Sequence, residues 1–165
     1  MTLGVIGIFY GAIMASAQTD IKRLVAYSSI SHMGFILIGI YAGTLISLQG
    51  VVVQMLAHGI SAGALFIVCG EMYVRLHTRD LRKMGGLWSR MAWLPAISLF
   101  FAAASLGLPG LGNFVGEFLI LAGSYSSAPW LVSIACVGLV LAVIYSLWMI
   151  QKAFYGEPRG HAATE

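Results

Sequence analysis

Apolar residues in this chain fall in long, nearly unbroken runs, without the alternation of a half-buried strand or the narrow stripe of a surface helix. A helix needs about 20 mostly apolar residues to cross the roughly 30 Å hydrocarbon core of a bilayer. Five runs approach or exceed that length: residues 1–17, 24–45, 51–70, 91–125 and 130–149. The fourth is too long for one crossing and carries Gly107-Leu108-Pro109-Gly110-Leu111-Gly112-Asn113 near its middle. Pro109 has no N–H for a helix, and glycine loses the most backbone entropy in one. The pattern therefore predicts two half-helices, 91–106 and 114–125, joined by a non-helical turn. Residues 44–50 and 126–129 read as short uncharged loops. The expected fold is an all-α membrane protein with five transmembrane segments, the fourth broken near Gly107 to Asn113. Residues 1–155 form a single helical domain, and 156–165 a polar C-terminal tail.

Composition supports this and narrows the function classes. Apolar residues make up 59% of the 165 positions and charged residues only 9%, against about 25% charged in a soluble domain. Mean hydropathy is +0.90. Soluble enzymes and nucleic-acid modules are excluded, so the net charge of +3 reads as a topology signal. All nine bases fall in segments that five crossings place on one side: Lys22 and Arg23, the run from Arg75 to Arg90, and Lys152 with Arg159. The positive-inside rule makes that side cytoplasmic, with the C-terminus inside and Met1 outside. Trp88 and Trp93 then mark the inner interface and Trp130 the outer one. Residues 1–17 lack the basic leader of a signal peptide, and an abrupt apolar start on the outer side points to a piece of a longer protein. Cys69 and Cys136 lie in apolar runs without a CxxC pair and read as small hydrophobes. Gly7/Gly11, Gly39/Gly43 and Gly59/Gly63 are small-xxx-small pairs suited to close helix packing.

Ionisable groups within a span are costly and suggest function by default. Three lie deep: His32, His58 and Glu117, each roughly 10–18 Å from a helix end at 1.5 Å per residue. Each histidine alone is also explained by a hydrogen bond to a nearby serine among Ser28, Ser29, Ser31 and Ser61. Glu117 is harder to dismiss, because a lone mid-membrane carboxylate costs several kcal/mol. Asn113 is a good helix N-cap, which places Glu117 about one turn into the second half-helix. The positive end of that helix favours the carboxylate while burial favours the acid, a balance that suits taking up and releasing a proton. Discontinuous helices at mid-membrane are also a transporter feature. Lys22 reads as an inner-surface anchor, or as the mouth of a path by which protons come in. The basic loop 75–90 is accounted for by topology.

The stretch from Thr19-Asp20-Ile21-Lys22-Arg23 through Tyr27-Ser28-Ser29-Ile30-Ser31-His32-Met33-Gly34 resembles a signature of the antiporter-like subunits of bacterial respiratory complex I, NADH:quinone oxidoreductase. Gln54-Met55-Leu56-Ala57-His58-Gly59 and Gly112-Asn113-Phe114-Val115-Gly116-Glu117-Phe118 continue the likeness in order, and the Arg75–Asp80 loop is most similar to the branch of the family called M, or chain 4. Such subunits contain two inverted five-helix repeats with a broken fourth helix, each forming a half-channel. The resemblance implies that this chain covers the second repeat. His32 and His58 then take the places of buried relay histidines, and Glu117 that of the charged residue on the broken helix near the outer exit. It implies no cofactor on this chain, with NADH, quinone, FMN and iron-sulfur clusters in other subunits. The implied partners are neighbouring antiporter-like membrane subunits and the lipid bilayer, with no nucleic acid. The implied location is the bacterial inner membrane. The family's central glutamate and lysines lie on the first repeat, and no buried lysine occurs here, so the chain would hold at most the outward half of a proton path. Two alternatives stand beside a proton-translocating subunit. One is a subunit of a multi-subunit cation/proton antiporter or membrane-bound hydrogenase. The other, more distant, is a b-type haem carrier using His32 and His58 as axial ligands.

Overall fold

The computed structural model of the chain describes residues 1–156. They form six α-helices: α1 (Thr2–Ser16), α2 (Ile21–Ala42), α3 (Leu45–Leu76), α4 (Leu94–Ser105), α5 (Gly112–Ser124) and α6 (Pro129–Phe154). Two single 3₁₀ turns, Leu81–Lys83 and Leu87–Ser89, lie between α3 and α4. Helices α2, α3 and α6 are each long and apolar enough to cross a membrane. The shorter α1 and the α4–α5 pair occupy the other two predicted segments. From residue 157 onward the expected polar tail lies outside the described residues.

Local chemistry sets the helix ends. Asp20 caps α2, its Oδ1 accepting from the backbone N–H of Lys22 at 2.8 Å and of Arg23 at 3.2 Å. Gly43 closes α2 in the left-handed conformation at φ +66°, and Thr44 opens α3 at once, its Oγ1 accepting from Ser47 N–H at 3.1 Å. The loop predicted over 44–50 is therefore corrected to helix from Leu45 onward. A side-chain cap directly after a helix stop leaves no room for a longer connection. At its other end α3 runs beyond the apolar segment to Leu76, for 32 residues in all, or about 48 Å at the helical rise.

The predicted break is present, and the chain's own hydrogen bonds define it. Gly107, at φ +79°, sits just past the C-cap Leu106. Its N–H reaches Ala104 O, and Leu108 N–H reaches Ala103 O at 3.2 Å. This is a Schellman closure, which satisfies the last carbonyls of α4 and turns the chain away. Pro109 then follows where no helix can continue.

Close backbone approaches hold the bundle. A Cβ on Gly4 would lie 2.7 Å from Gly34 O, and one on Gly34 would lie 2.6 Å from Gly4 O, so α1 and α2 touch backbone to backbone. Gly116 of α5 lies equally close to Gln54 of α3. By contrast Gly59 and Gly63 face open space, so that small-xxx-small pair packs against nothing among the described residues. Cys69 packs in the interior as expected, whereas Cys136 lies exposed on the outer face of α6.

The buried apolar residues divide into two clusters stacked along the bundle. One gathers Leu24, Val25, Leu65, Val68, Met72, Met149 and Phe154, with Leu81, Met84 and Leu87 of the basic connection. The other gathers Val5, Ile8, Phe35, Ile38, Val51, Ile120, Leu131 and Val132. Between them, at the level of the break, lies a layer of buried polar side chains: Ser28, Ser31, His32, Gln54, His58, Ser61, Ser105, Asn113 and Glu117. At the basic end, Ile21 N–H donates to Arg79 O at 3.0 Å and Leu81 N–H to Thr19 O at 2.8 Å. This short bridge ties the α1–α2 turn to the loop after α3.

Candidate functional site

The polar layer centres on one acid–base pair. His32 of α2 and Glu117 of α5 meet with Nδ1 to Oε1 at 2.8 Å, their side chains only 1% and 2% exposed. Gln54 of α3 donates its Nε2–H to the same oxygen at 3.1 Å. The other carboxyl oxygen, Oε2, has no hydrogen-bond partner among the described residues. It lies beside Gly107, where a Cβ would come within 2.9 Å. Glu117 also lines a cavity of about 230 Å³ whose remaining walls are Leu106, Gly107, Phe114, Phe118, Leu121, Leu139, Val140 and Val143. One carboxyl oxygen is thus engaged by both His32 and Gln54, and the other is left in apolar surroundings.

His32 is shared among three further helices. Its ring packs on His58 of α3, with centroids 4.8 Å apart and planes tilted by 39°. Its Nε2 lies 3.4 Å from both Ser105 Oγ of α4 and Tyr145 Oη of α6. His58 Nδ1 has no partner among the described residues. Because the two imidazoles touch, there is no slot between them for a porphyrin plane, and His32 has both nitrogens engaged. The haem reading is overturned on this geometry. Among the described residues no three His, Cys, Asp or Glu side chains converge on a metal site.

Asn113 does something other than predicted. Helix α5 starts at Gly112 after Leu111, with no side-chain cap. Asn113 Nδ2 instead donates to Ser61 Oγ at 2.9 Å and to Ala104 O at 2.8 Å. The expected N-cap is corrected to a strut joining α5, α3 and the end of α4. Asn113 is already inside the helix, where a cap residue's extended backbone is lost, and its Nδ2 turns to the two buried acceptors beside it. Glu117 accordingly sits in the second turn of α5, farther from the positive helix end than the capped reading placed it.

Residues 1–144 match the family described as NADH:quinone oxidoreductase/Mrp antiporter, TM. The chain belongs to this family. It is 70% identical over 94% of its length to NADH-quinone oxidoreductase subunit M of Pseudomonas aeruginosa, covering 31% of that protein. It is 61% identical over its whole length to subunit M of Escherichia coli K12, covering 32% of it. The chain thus spans about a third of the length of these curated relatives. Its fold superposes with a TM-score of 0.92, at 36% identity, on a chain of respiratory complex I from Thermus thermophilus with bound NADH, covering 96% of this chain and 34% of that one. The chain is accordingly all-helical and membrane-embedded, as its hydropathy predicts, and of the antiporter-like type, as its motifs imply.

Within this domain the three deep ionisable residues named from sequence are brought together: His32 touches both Glu117 and His58. Lys22 is not; it is exposed in the first turn of α2, about 15 Å along the helix from His32. Three partners escaped the sequence reading. Gln54 stands one turn before His58 on the same face of α3, a spacing that signals a shared site. Ser105 closes α4, and Tyr145 is the one buried hydroxyl-bearing ring of α6. Neither is charged near neutral pH, so a search for acids, bases and imidazoles in spans passes over both.

Proposed function

We propose that this chain is part of an antiporter-like, proton-translocating subunit of a bacterial NADH:quinone oxidoreductase, and that Glu117, His32 and His58 form a segment of its buried proton path. The observation that carries this is the 2.8 Å Glu117–His32 pair in the polar layer, on the rim of the helix break. Its heavy-atom geometry serves both a carboxylate beside an imidazolium and a carboxylic acid beside a neutral imidazole. The two differ only in which atom holds one proton, and in a low-dielectric site their relative energies respond strongly to charge changes nearby. Such a pair can be driven by neighbours without large backbone movement.

The basic end of the bundle is the cytoplasmic one on the positive-inside rule, with the start of this chain on the opposite side. Exposed Lys22 then stands where protons would be collected, and the cavity against Glu117 Oε2 is the side on which they would leave. Electron transfer takes place in other subunits that carry NADH, FMN, iron-sulfur clusters and quinone. Neighbouring antiporter-like membrane subunits are the partners, and the bacterial inner membrane is the location. A cation/proton exchanger is the second reading, favoured by the family's own description, which covers both systems.

Glu117→Gln in the complete complex tests the main reading, because the amide keeps an acceptor for His32 but cannot ionise. Proton transfer per NADH oxidised in sealed vesicles should fall, with the complex still assembled. Unchanged pumping sinks the assignment, and a strict sodium requirement moves it to the exchanger.

A further inference from the structure

We propose that Tyr145 and Ser105 are positioning residues for proton passage, their two hydroxyls forming a reversible partner for His32 Nε2. This rests on the reading of Glu117 and His32 as a proton site, and it concerns what happens at the far nitrogen of the ring. Tyr145 is 1% exposed, and among the described residues its hydroxyl makes one hydrogen-bond contact, to His32 Nε2. Ser105 reaches the same nitrogen from the last residue of α4.

The two protonation states of the pair make opposite demands on that nitrogen. With Glu117 ionised and His32 neutral, the ring proton sits on Nδ1 and donates to Oε1, so Nε2 carries a lone pair and must accept. Adding one proton gives either the imidazolium or the carboxylic acid with an Nε2–H imidazole. In both cases Nε2 now carries a hydrogen and must donate. Loading the pair therefore converts Nε2 from acceptor to donor, however the pair shares its protons. A carbonyl or an ammonium in this place would serve one state and oppose the other. A hydroxyl serves both, because it carries a donor and acceptor lone pairs and rotates about its C–O bond. No proton leaves Tyr145 or Ser105; their hydroxyls turn as the proton comes and goes between Glu117 and His32.

The placement fits that role. The hydroxyls come from α4 and α6, while the carboxyl comes from α5, so both sides of the helix break converge on one imidazole. Both contacts measure 3.4 Å, long for a hydrogen bond to a hydroxyl, so neither locks the ring in one state. The titratable groups facing His32 are Glu117 from α5, His58 from α3 and Tyr145 itself from α6. Helix α4 contributes only Ser105, and the one titratable side chain of α1, Tyr10, stacks edge-on against Tyr27 instead.

The test uses the complete complex in sealed vesicles, following proton transfer per NADH oxidised as a function of pH. Without either hydroxyl the unloaded state loses a donor and the loaded state an acceptor. The loaded state loses more, because an imidazolium N–H makes the stronger, charge-assisted bond, so the pair should load only at lower pH. Tyr145→Phe combined with Ser105→Ala should move the alkaline limb of the profile down by about one pH unit, a tenfold change in loading. Each single variant should move it the same way by less than half as much. Tyr145→Phe with Ser105→Thr, which keeps one hydroxyl, should return the profile to that of Tyr145→Phe alone. An unshifted profile in the double variant, or a uniform loss of pumping without a shift, overturns the inference. Should the double variant not assemble, the Tyr145→Phe profile decides: a downward shift supports the proposal and no shift overturns it. If Glu117→Gln pumps normally, the proton-site reading itself has failed; if it does not pump and the hydroxyl variants leave the profile unmoved, only this inference has failed.

Discussion

Asp80 and Arg82 meet at 2.8 Å at the basic end of the bundle, and Glu117 and His32 meet at the same distance in its middle. The first pair is wet, with side chains 23% and 68% exposed. Both oxygens of Asp80 are taken up by Arg82, Oδ1 by its backbone N–H and Nε–H, Oδ2 by its guanidinium. Those bonds hold the Asp80 carboxyl down to about 2, so its charge is fixed throughout the physiological range. The second pair is dry, and among the described residues one of its acid oxygens has no partner. Separation alone therefore says little about what an acid–base pair does. Completeness of bonding together with exposure makes Asp80–Arg82 a loop fastener, and incomplete bonding under burial is what suits Glu117–His32 to the proton site proposed for it.

The largest effect should come from stripping the buried pair. Glu117→Leu removes the acceptor of both His32 Nδ1 and Gln54 Nε2, and breaking a buried pair on one side costs about 3–5 kcal/mol. Pumping should be lost and the melting temperature of the detergent-solubilised complex should drop, whereas Glu117→Gln should lose pumping with much less loss of stability. Equal melting of the two variants would mean that the pair carries no structural weight. Next comes Gly107→Ala. A left-handed conformation costs a non-glycine residue about 1–2 kcal/mol, and the new methyl would crowd Glu117 Oε2 directly. Pumping should fall more than assembly does. Asn113→Ala should lower pumping less, because the side chain makes no bond to Glu117. The substitution should cost about 1–3 kcal/mol of stability for the Ser61 hydroxyl left without its donor, while Ala104 O keeps its bond from Gly107 N–H. It would loosen both half-helices, read as faster hydrogen exchange around the break.

Asp80→Asn should do least, with pumping and assembly unchanged at neutral pH. Its carboxyl is held below its ordinary value of 3.8, so whatever it contributes is fully present above that value and fades as pH falls toward about 2. A loss of pumping in Asp80→Asn would erase the contrast between the two pairs.

Hydropathy made the five segments legible because lipid demands length. The Gly-Pro run made the break legible because backbone chemistry acts locally. Residues 44–50 look like a loop by hydropathy, but Gly43-Thr44 places a stop and a cap side by side and α3 begins at Leu45. The apolar run ends at Gly70, yet α3 continues through Glu71 and Arg75, polar residues that suit a helix in water and end only a count of apolar ones. Asn113 misled for another reason: its local role and its tertiary role compete, and Ser61 lies 52 positions away in the chain. Gln54, Ser105 and Tyr145 gain their meaning only from His32, which no spacing within their own helices reveals.

The approach of Gly4 and Gly34 limits how this protein can vary. In each direction the nearest obstacle to a side chain, ahead of Ile38 or Ile8, is the partner's carbonyl oxygen, an atom that every amino acid carries. Shrinking one residue therefore cannot make room for enlarging the other, and no pair of substitutions at these two positions restores the fit. A lineage that loses either glycine can recover only by moving α1 away from α2 as a unit, so these positions form a barrier in sequence space that drift cannot cross one step at a time.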